Sequence, residues 1–321
     1  MPKITIRRKK TDKNKVSKTK LSAFGRLFKK IPMSVLIFVM ILGGLAGFVY
    51  SGSYWYKHTF FKPENIFYGT INNSLATGSY LRNVDQTTPG KTDLQNDILQ
   101  FTPTPIIHSN SYVEQLDQNR QKSFVKTETY GTKTSDYIRY TEISIPKSSS
   151  DKTDYRKLEG TWAKRGDDKD ASEAQTLSQS AFTFMPFGSF SPDQRAKFIS
   201  YMKANNTYLL KEYKITYENG RPYYNGQVAV NPKKLVTFMR DYSKMTGIGD
   251  ASQMDPEQYK DQNNFIIQVK IDVLSRRLVK IDYSDGARTE TYVSYGIKKS
   301  MEIPSKTISL QELQSRISQK Q

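Results

Sequence analysis

His58 and His108 are the only histidines of this 321-residue chain, and it has no cysteine. A Ser-His-Asp arrangement therefore has one candidate base, His108, because His58 falls in the segment assigned below to a membrane interface. The lack of thiols excludes disulfides, cysteine nucleophiles and thiolate metal sites together, and two histidines leave a zinc enzyme without ligands. No Gly-rich phosphate loop, Gly-x-Ser-x-Gly elbow or His-x-x-x-His pair is present. Asp168-x-Asp170-x-Ser172 opens like a calcium loop, but no glycine marks its turn and Gln179 stands where the closing acid belongs. Asp167, Asp168 and Asp170 read as a solvated loop. The sequence predicts no catalytic residue, no metal and no cofactor, and the chain is read as a non-enzyme.

The residues that could do binding are apolar. Phe67, Ile71 and Leu75 recur every fourth residue, and Leu235, Phe238 and Met239 form a second stripe with Tyr242. Phe184, Met185 and Phe187 lie in the irregular segment Phe182–Phe190, FTFMPFGSF. Flexible Met and clustered Phe suit adaptable apolar contacts, so these nine residues are the candidate apolar pocket for a lipid or other apolar ligand. The competing reading is plain core that closes a sheet.

The elements that would position them follow from spacing. Pro63 to Thr77 reads as a helix, Arg82 to Asn96 as a polar loop, and Thr102-Pro103-Thr104-Pro105 as broken chain. Phe124 to Tyr130 and Tyr137 to Ile145 read as strands, the latter with Ile138 and Tyr140 on one face and Thr141, Ile143 and Ile145 on the other. Leu158 to Lys164, holding Trp162, is a further strand. Ser191 caps a helix begun by Pro192, and Asn231 caps one begun by Pro232 and stopped by Gly247. Asn219-Gly220 predicts a tight hairpin between Tyr208–Tyr217 and Pro222–Val230. Ile267, Val269, Ile271 and Val273 alternate with polar residues, as do Val279, Ile281 and Tyr283, and a turn at Asp285-Gly286 leads to Arg288–Tyr295. This is a meander, closed by a helix within Ser305–Ser318.

Charge and hydropathy set the expected topology. Twelve of the 49 basic residues and one of the 31 acids fall in Met1–Lys30, which predicts a basic cytoplasmic tail over 1–30. Nothing from Ile31 to Tyr56 is charged, and Met33–Tyr50 is almost wholly apolar, so 31–52 is expected to be a transmembrane signal anchor. A cleaved signal peptide is disfavoured by the length of the run and the lack of a good small-x-small site. Tyr54, Trp55 and Tyr56 then form a membrane interface within a linker over 53–62, and 63–321 is an extracytoplasmic α+β domain. The expected placement is the cell membrane, single-pass, with the N-terminus cytoplasmic. Gly43 and Gly47 offer a spacing for a homodimer. Outside the tail, 37 basic residues face 30 acids, too even a balance to favour nucleic acid.

Val269–Tyr283, with the run IDVLSRRLVKIDY, and Tyr295-Gly296 followed by Glu302-Ile303-Pro304 resemble the half-barrel lipid and lipoprotein carriers of bacterial envelopes. These are the lipoprotein-localisation carrier and the mycobacterial lipid-binding lipoproteins. The pattern is also similar to membrane-anchored proteins of candidate-phylum bacteria. The resemblance covers the last 100 or so residues, and the chain departs from it in having no cysteine for lipid attachment. It implies an antiparallel half-barrel, a curved sheet packed with two or three helices, with acyl chains held between them. Three functions are thus expected in order: an anchored binding domain for a lipid, lipoprotein or other apolar ligand; an assembly scaffold of an envelope complex, with the layout of secretion and conjugation factors; and an enzyme built around His108.

Overall fold

The computed structural model describes residues 33–117, 119–146, 154–166, 174–249, 251, 254–283 and 286–318. They fall in two compact units, Met1–Thr59 and Phe60–Gln321. The first contains helix α1, Met33–Trp55, which runs into a π-helical turn, Tyr56–Phe60. Among the described residues, no helix is long and apolar enough to cross a membrane. This overturns the expected transmembrane anchor, and with it the single-pass placement in the cell membrane. The basic tail, 1–30, lies outside the described residues.

The second unit is built on a single 12-stranded sheet, so the expected fold, an N-terminal transmembrane helix followed by a half-barrel, is corrected. The strands are β1 Ser79–Thr88, β2 Lys91–Gln100, β3 Ile106–Leu116, β4 Lys122–Gly131, β5 Asp136–Ser144, β6 Trp162–Arg165, β7 Tyr208–Glu218, β8 Arg221–Val230, β9 Phe265–Asp272, β10 Arg277–Tyr283, β11 Arg288–Tyr295 and β12 Ile308–Ser309. Their order is β12-β6-β5-β4-β3-β2-β1-β11-β10-β9-β8-β7, antiparallel except where β12 joins β6. Two meanders, β1 to β6 and β7 to β11, meet where β1 pairs with β11. The sheet outgrew its forecast because Arg82–Asn96, expected as a loop, is most of the β1–β2 hairpin, in register from Ser79↔Gln100 to Thr88↔Lys91.

The helices are α2 Pro63–Ser74, α3 Thr176–Ala181, α4 Pro192–Ala204, α5 Pro232–Thr246 and α6 Leu310–Ser318. Their ends follow the sequence signals. The Ser191 side chain and Gln194 form a reciprocal capping box on α4, Asn231 accepts from the Lys234 amide of α5, and Gly247 ends α5 at φ 62°. The hairpin turn residues Asn219 and Gly220 both have positive φ, as a tight two-residue turn requires.

Both buried apolar clusters lie on one side of the sheet, the core face. The main cluster joins Phe67 and Ile71 of α2, Phe198 and Met202 of α4 and Leu235 and Phe238 of α5 to Val228, Val269, Ile281 and Tyr292 of the sheet. A smaller cluster gathers Ile143, Leu158, Ala163 and Leu313, with Val125 and Tyr140 against it. Tyr140 and Ile143 were expected on opposite faces. A bulge between Lys126 and Thr127 pairs Thr127 with Tyr140 and Lys126 with Glu142, so the parity shifts and both side chains reach the same core.

Candidate functional site

The nine apolar candidates converge in the main cluster. Phe67, Ile71, Leu75, Phe184, Met185, Phe187, Leu235 and Phe238 are buried, and Met239 packs partly buried against them. Rings close the space: Phe67 lies 5.4 Å from Tyr208, Phe198 5.2 Å from Phe238, and Phe187 sits between Tyr80 at 4.1 Å and Tyr292 at 5.3 Å. The irregular Phe182–Phe190 segment is pinned from below, where the Tyr208 and Tyr242 hydroxyls donate to the carbonyls of Phe184 and Phe187 at 2.8 and 2.7 Å. None of the nine lines the cavities described below. Of the interfacial candidates, Tyr54 and Trp55 expose their side chains on α1, and the side chain of Tyr56 lies outside the described atoms. So does the Asp167, Asp168 and Asp170 loop.

Beside the aromatic core, the sheet buries a charged cluster. Arg82 on β1 donates to Asp97 on β2 at 2.6 Å, and its other terminal nitrogen stands 3.6 Å from Glu290 on β11. Glu290 also accepts from Tyr292, Tyr283 and Arg288 at 2.7, 3.0 and 2.7 Å. Burial alone would push the Glu290 carboxyl up, but Arg82 and Arg288 outweigh it and hold it below the usual carboxylate range. Two arginines and two carboxylates balance, as buried charge requires. The Ser180 hydroxyl donates to Asp97 at 3.5 Å, and the cluster reads as structural.

The room lies on the opposite, outer face. Residues directly opposite in antiparallel strands share a face, and the registers carry one row from β11 to β5: Thr291, Asn83, Asn96, Asn110, Glu128 and Arg139. Asn96 donates to Asn83 across the hairpin. A trough of about 650 Å³ runs over the first four of these residues, Thr291 to Asn110, and Leu94, Tyr112 and Lys126 line it from the next row. Leu94 leaves 41% of its surface exposed there. A second cavity, about 770 Å³, opens at the sheet edge between β6 and α6, lined by Lys164, Ser309 and Gln314 among others.

His108, foreseen as the only candidate base, is buried on the outer face next to the amide row. Its Nε2 is 3.0 Å from Oε1 of Glu128, its ring stacks on Tyr130 at 4.5 Å, and its Nδ1 is 3.4 Å from the Lys299 ammonium. Arg139 bonds the other oxygen of Glu128 and covers Trp162 at 4.7 Å. Burial raises the Glu128 carboxyl, but Arg139 and His108 bring it below its ordinary value. Among the described residues, no hydroxyl contact completes a nucleophile with His108. The partnership was hidden in the sequence because Glu128 is 20 residues away, and only the pairing of β3 with β4 brings the two together. Among the described residues, no three His, Asp or Glu side chains are grouped to hold a metal ion.

No protein-family model and no curated protein matches the chain. Among solved structures, the crystal structure of LprF from Mycobacterium bovis is similar at a TM-score of 0.40 and 12% identity, over 75% of this chain and 96% of that one. That likeness is loose.

Proposed function

We propose that Phe60–Gln321 is a non-catalytic binding domain for an amphipathic ligand, a lipid in the first instance, held on the outer face of the sheet and not in its core. The observation that carries this reading is the trough of about 650 Å³, within the size range of small-molecule sites. Three carboxamides, each with donors and an acceptor, suit a polar head, and the exposed Leu94 beside the Tyr112 ring suits an apolar tail. The apolar residues first expected to hold the ligand are engaged with one another. Native mass spectrometry of the full chain, after incubation with phosphatidylglycerol and phosphatidylethanolamine, tests the proposal. A lipid adduct near one per chain is expected, lost in Leu94→Arg. A chain that stays free of adduct, or an adduct indifferent to Leu94→Arg, rejects the trough.

One observation favours the scaffold reading as the second choice. Strand β7 is a sheet edge, and it exposes Tyr213 at 49% and Tyr217 at 68%, a surface suited to a partner strand. The bulge between Leu210 and Tyr213 limits such pairing to the second half of the strand.

A further inference from the structure

Strand β7 ends the sheet, so one side of its backbone has no neighbouring strand. Which amides and carbonyls point off that side follows from the hairpin turn. The two-residue loop Asn219-Gly220 makes Glu218 and Arg221 the closing hydrogen-bonded pair, and along an antiparallel ladder such pairs alternate with pairs that exchange no bonds. Glu218, Thr216 and Lys214 therefore turn their backbone groups toward β8, and Tyr217 and Ile215 turn theirs outward. Pro222, opposite Tyr217, agrees: it has no amide, and its carbonyl accepts from Val273 on the side of β9. Side chains sort by the same parity. Lys214, Thr216 and Glu218 share the outer face. Ile215 and Tyr217 share the core face, where Ile215 packs against the main cluster and Tyr217 is exposed.

A second copy of β7 can pair with the first, antiparallel about a two-fold axis, only in registers that oppose outward-turned residues. Centred on Thr216, Ile215 exchanges backbone bonds with Tyr217 of the second copy. Lys214 then faces Glu218 of the second copy, twice by symmetry, and each exposed Tyr217 covers an Ile215. The two Thr216 hydroxyls meet at the axis, and since each accepts from Asn225 of its own chain at 2.8 Å it keeps a hydrogen to give. Glu218 holds Lys270 of its own chain at 2.7 Å, whereas among the described residues Lys214 has no ion-pair partner. Centred on Ile215 or Tyr217 instead, Lys214 meets Thr216 or Gly220 and no charge is matched. An edge lysine ordinarily repels an added strand; in the Thr216 register it attracts one.

We propose that the chain dimerises by joining two β7 edges about Thr216, with Lys214 of each copy matched to Glu218 of the other. The bulge between Leu210 and Tyr213 ends the pairing on one side and the hairpin turn ends it on the other, so the contact is short and belongs to the weak, reversible class. The dimer rests on the edge that favours the scaffold reading and not on lipid binding in the trough.

Sedimentation velocity of the full chain across about 1–100 µM reads the association. The parent is expected to pass from monomer to dimer. Lys214→Glu and Glu218→Lys should each stay monomeric, because like charges then meet twice, and an equimolar mixture of the two should recover the dimer, because every facing pair is then opposite. The chain has no cysteine, which gives a second readout. Residues facing each other at the axis stand about 4.5 Å apart between α-carbons, within disulfide reach, so mild oxidation should cross-link Thr216→Cys and leave Glu212→Cys, in the bulge and off the register, uncrosslinked. A parent that is monomeric over the whole range, with no cross-link in Thr216→Cys, overturns the dimer and leaves the edge to a strand of another protein. Association that survives in both charge variants belongs to a different surface and overturns it equally, as does a mixture that recovers nothing.

Discussion

At the scale of single residues, the most consequential group is the buried Arg82, shared between two carboxylates. Replacing it with methionine keeps the volume but strands Asp97 and Glu290 without their central cation. Breaking a buried pair in this way costs ~3–5 kcal/mol, so the urea midpoint of Arg82→Met should fall sharply at neutral pH. The same cluster makes stability depend on acid. The Glu290 carboxyl is lower in the folded chain than in the unfolded one, so its contribution is complete above the ordinary carboxylate value, about 4.3. It is lost as pH falls through the folded value. Urea midpoints should be flat near neutrality and decline below about pH 4.3. In Glu290→Gln the neutral midpoint is lower and the acid decline shallower. An unchanged acid decline in that variant would assign the effect to other carboxylates.

At the scale of elements, α2 separates core from cavity. It begins where Pro63 sets the first turn after an extended Lys62, and it lays Ile66, Phe67 and Ile71, all with no exposed surface, onto the sheet. Phe67→Ala in a filled core should cost ~3–5 kcal/mol and leave lipid adducts unaffected. A stable Phe67→Ala chain that loses its adduct would return the ligand to the core. Helices were legible in the sequence because their ends carry local chemistry, a Ser191 box and an Asn231 cap, which needs no tertiary partner. The β9–β10 pair was legible because its buried face is apolar and its outer face polar. The β1–β2 hairpin was not. Its core-face positions include Arg82 and Asp97, its outer-face positions include Asn83 and Asn96, and the alternation that betrays a strand is invisible when both faces are polar. The trough was missed for the same reason, since its floor is this hairpin. His108 was found by its rarity, and its partner Glu128 required the register.

At the scale of the whole sheet, twelve strands share one ladder, but the apolar packing that stabilises them is uneven. Strands β8 to β11 lie under three helices and the main cluster, whereas β5, β6 and β12 depend on the four buried side chains of the small one, with α6 supplying Leu313. Regions with few buried apolar contacts open at lower free energy than the global transition. Amides of Trp162–Arg165 and of α6 should therefore exchange with deuterium sooner than those of Phe265–Asp272, without the chain unfolding. Leu313→Ala sharpens the test. It removes the one described α6 side chain with no exposed surface, and burial of a leucine is worth ~2–5 kcal/mol against alanine, comparable to the whole stabilisation that so small a cluster can supply. Exchange should then accelerate in β6, β12 and α6 and stay unchanged in β8 to β10. Acceleration spread evenly along the sheet would mean that the ladder couples both clusters into one cooperative unit, because strand pairing, not packing, would then set the free energy of opening.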